Sequence, residues 1–176
     1  MSTYQIDPAH SAAQFKVRHM MIANVKGEFD KVSGTVNFDP ANPSASTVEA
    51  TIEVASISTR DEQRDAHLKS ADFFDVEKFP TITFKSKKVT ATGSDSFTVV
   101  GDLAIHGVTK EVELKVEELT EEAKDPWGNL RRGAEAKTRI KRKDFGMTFN
   151  MALDTGGFVV GEDVDITIDV ELIHQA

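Results

Sequence analysis

The chain has 176 residues, with 21 Lys and Arg against 29 Asp and Glu, five His and no Cys. A chain of this length buries about 70 % of its unfolded surface, so it reads as one domain, 1–176, that needs no disulfide or metal staple. The lack of Cys excludes a thiolate nucleophile, Cys-ligated zinc and iron–sulfur clusters, and the net charge of −8 argues against a nucleic-acid partner.

In chain order, Met1 to Asp7 show no positively charged stretch ahead of an apolar one, which reads as a cytoplasmic protein without a signal peptide. No apolar run anywhere approaches the roughly 20 residues of a membrane span, so stable membrane insertion is not expected. Period-two alternation, the mark of half-buried strands, then recurs along almost the whole chain. Phe15, Val17 and His19 share one phase, followed by Val25, Gly27 and Phe29, by Gly34, Val36 and Phe38, and by Val48, Ala50, Ile52 and Val54. The pattern breaks at Thr59-Arg60-Asp61-Glu62, a capping box in which the Thr59 hydroxyl and the Glu62 carboxylate each accept from the other's amide. A short polar helix is therefore predicted over about 60–69. Phe73, Phe74 and Phe79 follow in a turn-like stretch closed by Pro80, so helix and loop read as a cover over the end of something apolar.

Alternation resumes at Ile82 and Phe84, at Phe97, Val99, Gly101, Leu103 and Ile105, and at Val112, Leu114 and Val116. The last two runs are 134–142 and 164–172. Turn-forming clusters at 39–43, 92–95, 106–107, 125–129 and 155–157 divide the runs. The fold class is all-β and antiparallel, with eight or nine strands arranged as a sandwich or a closed barrel. Gly27, Gly34, Ala50, Gly101, Ala134, Ala136 and Thr138 fall on apolar phases. They either leave room for a ligand or only let the strands coil sharply, and the pattern does not choose.

Charge supplies a second constraint. Lys137, Arg139, Lys141 and Lys143 share a phase, as do Glu111, Glu113 and Glu117 before them and Asp163, Asp165, Asp169 and Glu171 after. A basic stripe between two acidic ones is expected, setting register across neighbouring strands, in preference to a phosphate- or membrane-binding patch at 131–143. Arg142 falls on the inward phase, where a guanidinium must be paired. An internal carboxylate is the expected partner, and a polar ligand head is the alternative. No His stands at metal-ligand spacing, and the adjacent His10 and Ser11 point to opposite faces of a strand. G-x-S-x-G, P-loop and dinucleotide-binding motifs are absent, so no active site is visible and no cofactor or metal is expected.

The segments Tyr4–Ser11, Phe15–His19, Lys26–Phe29, Gly34–Asp39, Ser56–Asp75, Phe79–Ser86, Gly101–Lys110 and Arg142–Gly146 resemble, in order, the YceI-like polyisoprenoid-binding proteins. The resemblance covers essentially the whole chain. It implies a lipocalin-like, eight-stranded antiparallel barrel around an apolar tunnel for a long isoprenoid, an isoprenoid quinone or a fatty-acid-like chain. The function so implied is non-catalytic sequestration or transport, with a homodimer left open. Many family members are exported to the periplasm, and this chain departs from them in lacking the export signal. The expected tunnel residues are Phe15, Val17, His19, Val25, Phe29, Val36, Phe38, Ile52, Val54, Ile82, Phe84, Leu103 and Ile105. Phe73, Phe74 and Phe145 are expected at one end, and Arg142 near a ligand head. Two other classes stay open: an enzyme acting on a small apolar substrate, for which His19 and Arg142 are the one converging polar pair, and a stress-related structural protein with a packed interior.

Overall fold

Strands that alternate apolar and polar residues need partners on both edges, and a ring of strands provides them without leaving an edge exposed. The computed structural model describes residues 1–153 and 157–176 of the chain. Its elements are β1 (Ser2–Ile6), β2 (Ala12–His19), β3 (Ala23–Phe29), β4 (Val32–Phe38), β5 (Thr47–Glu53), β6 (Ile57–Ser58), α1 (Glu62–Lys69), β7 (Thr81–Ala91), β8 (Phe97–Ile105), β9 (Val108–Glu117), β10 (Ala123–Lys124), β11 (Leu130–Lys141) and β12 (Val160–His174). Strands β11, β9, β8, β7, β5, β4, β1 and β12 pair in that order, and β12 returns to β11. The result is a closed, eight-stranded antiparallel barrel with one short helix. Of the predicted turn at 155–157, only Gly157 lies within the described residues.

Three walls of the barrel are long strands broken in two. The pairs β1–β12 and β2–β12 share one edge of β12, and β4 and β3 follow β1 and β2 round the bend, as do β5 and β6. The first break is the 3₁₀ turn Pro8–His10, where Asp7 caps the turn by accepting from the Ala9 amide at 3.0 Å. A second 3₁₀ turn, Val54–Ser56, separates β5 from β6. Meander turns are tight elsewhere. His106 and Gly107 join β8 to β9 with φ of 55° and 75°, the left-handed pair that a two-residue hairpin demands.

The helix departs from its predicted start. It runs Glu62–Lys69 and is capped by Asp61, whose carboxylate accepts from the Arg64 amide at 3.0 Å. Thr59 instead turns inward, is buried, and donates its hydroxyl to Asp65 at 2.6 Å while accepting from Arg64 Nε at 2.8 Å. Arg60 has a φ of 64°, which takes it out of the helix and breaks the predicted capping box.

The charged stripes pair on one side only. Across β11–β12, Arg139 stands opposite Asp165 and donates to it at 2.6 Å, Lys141 lies 3.6 Å from Asp163, and Lys143 pairs with Glu162. Across β9–β11 the ladder is short and places Glu135 opposite Glu117 and Lys137 opposite Lys115. Glu111 of β9 looks the other way: with Asp102 of β8 it shares Lys87 of β7, at 3.4 and 3.1 Å. The glycines serve close approach and leave no empty space. A Cβ on Gly101 would lie 2.5 Å from the Lys85 carbonyl and 2.6 Å from the Phe84 ring, and on Gly27 it would strike the Phe15 ring.

Candidate functional site

The inward phases of the strands do not meet across the middle. They enclose a cavity of about 520 Å³, within the range of small-molecule sites. Of the residues expected in the tunnel, Phe15, Val17, His19, Val25, Phe29, Val36, Phe38, Ile52, Phe73, Phe74, Ile82, Phe84, Leu103, Ile105 and Arg142 lie on its wall. Val54 and Phe145 do not, although both are buried to 1 % exposure. Val54 has left the strand period for a 3₁₀ turn, so counting by twos misplaces it, and Phe145, expected at one end of the tunnel, is turned away from the cavity in the 3₁₀ turn Arg142–Phe145. The small residues on the wall include Ala13, Ala50, Ala134, Ala136 and Thr138; no glycine among the described residues lines it.

β12 supplies a wall that the sequence reading left out of the site: Val164, Ile166, Ile168 and Val170 alternate into the cavity, each half-buried because one face meets the open interior. Leu114, Val99 and Ile140, which are fully buried, also line it from β9, β8 and β11. Their period-two spacing was available in the sequence. Also missed were Tyr4, Arg18, Arg64, His67 and Arg132. Arg132 could have been found by counting back two from Ala134, and Arg64, His67 and Leu68 by their i, i+3, i+4 spacing on one face of the helix.

One end of the barrel is floored by a polar cluster. The Tyr4 hydroxyl donates to Glu122 at 2.5 Å and accepts from Arg132 Nε at 3.0 Å, while the guanidinium of Arg132 lies over the Tyr4 and Phe38 rings at 5.8 and 5.5 Å. Burial, then the bond to Glu122, raises the Tyr4 phenol above its ordinary range, and the same bond holds the Glu122 carboxyl below its own. The other end is covered by α1 and the Phe-rich loop after it. His67 packs edge-on against Phe73 and Phe149 at 5.1 and 5.0 Å, and Phe74 stands edge-on to Phe29 at 5.7 Å. Among the described residues no Asp or Glu lines the cavity; the charge-bearing groups on its wall are basic, apart from the Tyr4 phenol.

Arg142 is buried at 3 % exposure, yet its partner is not a carboxylate. Its guanidinium donates to four backbone carbonyls: Nε to Gly161 at 2.8 Å, Nη1 to Met147 and Phe149 at 2.8 Å each, and Nη2 to Val160 at 3.2 Å. Burial pushes its pKa down from the usual arginine value. The carbonyls of a turn and a strand end point at one spot, and only a planar fork with several donors can serve them all. With its donors so committed, Arg142 does not form a free polar pair with His19. Asp7, His10 and Glu171 gather closely enough to hold a cation, but Arg131 Nη1 already donates to Asp7 at 2.7 Å and to Glu171 at 2.9 Å. Ser11 is buried and accepts from the Glu171 amide at 3.1 Å, while the His10 ring bonds Asp7 at 2.8 Å, so the two do not form a nucleophile–base pair here.

Comparison with known proteins agrees with this geometry. The profile of the YceI-like domain matches residues 4–172. A UPF0312 protein of Azotobacter vinelandii is 38 % identical over 166 residues, covering 94 % of this chain and 83 % of its own. In structure, BcnA of Burkholderia cenocepacia superposes with a TM-score of 0.82 at 26 % identity, over 94 % of this chain and 98 % of BcnA. A polyisoprenoid binding domain from Saccharophagus degradans superposes with a TM-score of 0.73 over 99 % and 100 % of the two chains; at 17 % identity that likeness is one of fold.

Proposed function

The chain belongs to the YceI-like family, and from that premise we propose that it is a non-catalytic lipid-binding protein that holds a long apolar chain inside the barrel. The observation that carries this reading is the cavity of about 520 Å³, ringed by inward Val, Ile, Leu and Phe side chains. The ligand class is a polyisoprenoid, an isoprenoid quinone or a fatty-acid-like chain, as the name of the Saccharophagus degradans domain also invites. Burial of a CH₂ contributes about 0.8 kcal/mol, so some twenty buried carbons give roughly 16 kcal/mol gross. Association and ordering take back about 4–15 kcal/mol of that, which leaves room for binding in the micromolar to nanomolar range. Such a wall measures length and girth and reads almost nothing of double bonds, so mixed lipids are expected to co-purify.

The non-catalytic part of the proposal rests on the commitment of Arg142 to four carbonyls, which removes the converging His19 and Arg142 pair that an enzyme reading would need. Action in the cytoplasm is proposed with it, and cell fractionation reads that out. Native mass spectrometry after gentle purification tests the binding: one lipid per chain is expected. A barrel that emerges empty and also refuses added isoprenoid quinone and prenyl alcohol defeats the reading.

A further inference from the structure

Five of the exposed large apolar side chains gather at one place. Met20, Met21 and Ile22, exposed by 42, 56 and 75 %, form the turn between β2 and β3, and Met151 and Phe158, at 60 and 53 %, lie beside them. The Met20 amide donates to the Val159 carbonyl at 2.7 Å, the Val159 amide donates to the Met151 carbonyl at 3.0 Å, and the Met21 side chain packs over Gly157. The patch is therefore one surface. It borders the cavity, since Arg18, His19, Met151 and Val159 line the same end of it.

The turn itself is costly. Met20 and Met21 have φ of 52° and 64°, the left-handed region that a solvent-exposed hairpin ordinarily fills with Asn and Gly. Apolar side chains held in strained backbone and left exposed to water bury little surface on folding, and such strain persists where a function uses it. Charge points to the occupant. In a chain of net charge −8, residues 8–27 hold Lys16, Arg18 and Lys26 and no Asp or Glu. Glu162 and Asp163, at the start of β12, are taken by Lys143 and Lys141, and Asp165 beyond them is held by Arg139, with Lys16 at 3.8 Å. Among the described residues, Arg18 and Lys26 are then the cations beside the tip with no carboxylate partner. An apolar tip set in a basic collar fits the boundary of an anionic bilayer, where apolar burial and attraction to head groups act together.

We propose that this end of the barrel docks reversibly on anionic phospholipid membranes, so that a lipid passes between bilayer and cavity without crossing water. The proposal rests on the lipid-binding reading for its purpose but not for its test. In flotation with phosphatidylcholine vesicles, the full chain binds weakly; with phosphatidylglycerol included it floats, and added salt reduces the bound fraction. The double variant Met21→Asp and Ile22→Asp lowers the bound fraction by about tenfold or more, because it removes apolar contact and adds repulsion. Trp127→Asp, at an 82 % exposed position in the turn before β11 at the opposite end, floats like the parent. Both variants keep their co-purified lipid by native mass spectrometry, so loss of flotation with lipid retained separates docking from cavity binding. The proposal falls if the parent ignores phosphatidylglycerol vesicles or the double variant floats as well as the parent. It also falls if sedimentation velocity shows a dimer that the double variant dissociates, since the patch would then belong to a second copy of the chain.

Discussion

Replacing Arg142 with Met keeps the unbranched stem as far as the position of Nε and deletes every donor, which makes it a probe of how the barrel end is held. The guanidinium ties the Met147 and Phe149 carbonyls on one side to those of Val160 and Gly161 on the other. Val160 keeps a second donor, Asn150 Nδ2 at 2.8 Å, so the substitution strips three carbonyls, those of Met147, Phe149 and Gly161. A lost hydrogen bond to a charged group costs about 1.5–3 kcal/mol, most at the buried Met147 carbonyl and less at the part-buried Phe149 and Gly161 carbonyls, giving a gross loss of roughly 4–7 kcal/mol. The variant regains the several kcal/mol spent on desolvating a charge, so the net cost is about 3 kcal/mol. Urea denaturation followed by far-UV circular dichroism measures it as a lower midpoint with an unchanged slope, and hydrogen exchange places the loss at 147–149 and 160–161. Arg142→Lys recovers only part, because an ammonium cannot span four divergent carbonyls. An Arg142→Met variant whose stability stays within about 1 kcal/mol of the parent would refute the argument that the carbonyl cluster depends on this one side chain.

Two further perturbations address the cavity and the acid response. Ala136→Phe places a ring into the open interior from a wall position flanked by Val116 and Ile168. It is expected to keep or raise the thermal midpoint while cutting co-purified lipid about tenfold by mass spectrometry, whereas loss of stability would mean that the space is not free to fill. Arg131→Gln removes the donor shared by Asp125, Asp7 and Glu171. Arg131 holds the Asp125 carboxyl below its ordinary range, and for Asp7 the His10 hydrogen bond leads and Arg131 adds to it. Because these folded values lie below the unfolded 3.8, their stabilisation is full above that pH and is lost as pH falls through the folded values. Parent and variant should therefore differ in urea midpoint at pH 7 and converge as the pH drops below 3.8; a gap that stays constant into acid would overturn the assignment.

Period-two alternation made the strands and their inward faces legible because most strand residues of the wall obey the pleat. Phe84 and Leu103, or Val17 and Phe15, could thus be set facing inward without coordinates, whereas the choice of a barrel over a sandwich came from the family resemblance. Alternation failed at Val54, where the backbone leaves the pleat for a 3₁₀ turn; the capping-box reading failed separately at Arg60, whose positive φ accompanies Thr59 turning inward to Asp65. The partners of Arg142 were not legible for a different reason. Its acceptors are main-chain carbonyls, which every residue carries, so no side-chain pattern marks them. The glycines were ambiguous for a related reason, since a missing Cβ serves equally for open space and for close approach, and only the Lys85 carbonyl beside Gly101 decides between them. The neighbours of the charged stripes needed a register, and β9 and β11 meet over too short a ladder for alternation to predict one.

That short ladder bears on how a hollow barrel can work. A filled core ties opposite walls together, whereas here the strands hold mainly to their neighbours along the ring. β11 pairs with β12 continuously from Arg131 to Lys141, but with β9 only at Glu135, Ala136 and Lys137. Two of those three positions set like charges directly opposite, which weakens a strand pair, and Lys137 turns to Glu135 of its own strand at 2.9 Å. The gap is clasped at its ends instead. Thr120 and Gly133 bond each other through backbone and side chain at 3.0 and 2.9 Å, and His106 Nδ1 meets the Phe145 carbonyl at 3.1 Å. Widening the barrel between β9 and β11 thus breaks far fewer ladder bonds than widening it between β11 and β12. A cavity that must admit a guest broader than its resting mouth would yield along this line first, and the clasp at Phe145 adjoins Arg142, whose carbonyl cluster holds the end of the barrel beside the exposed methionines.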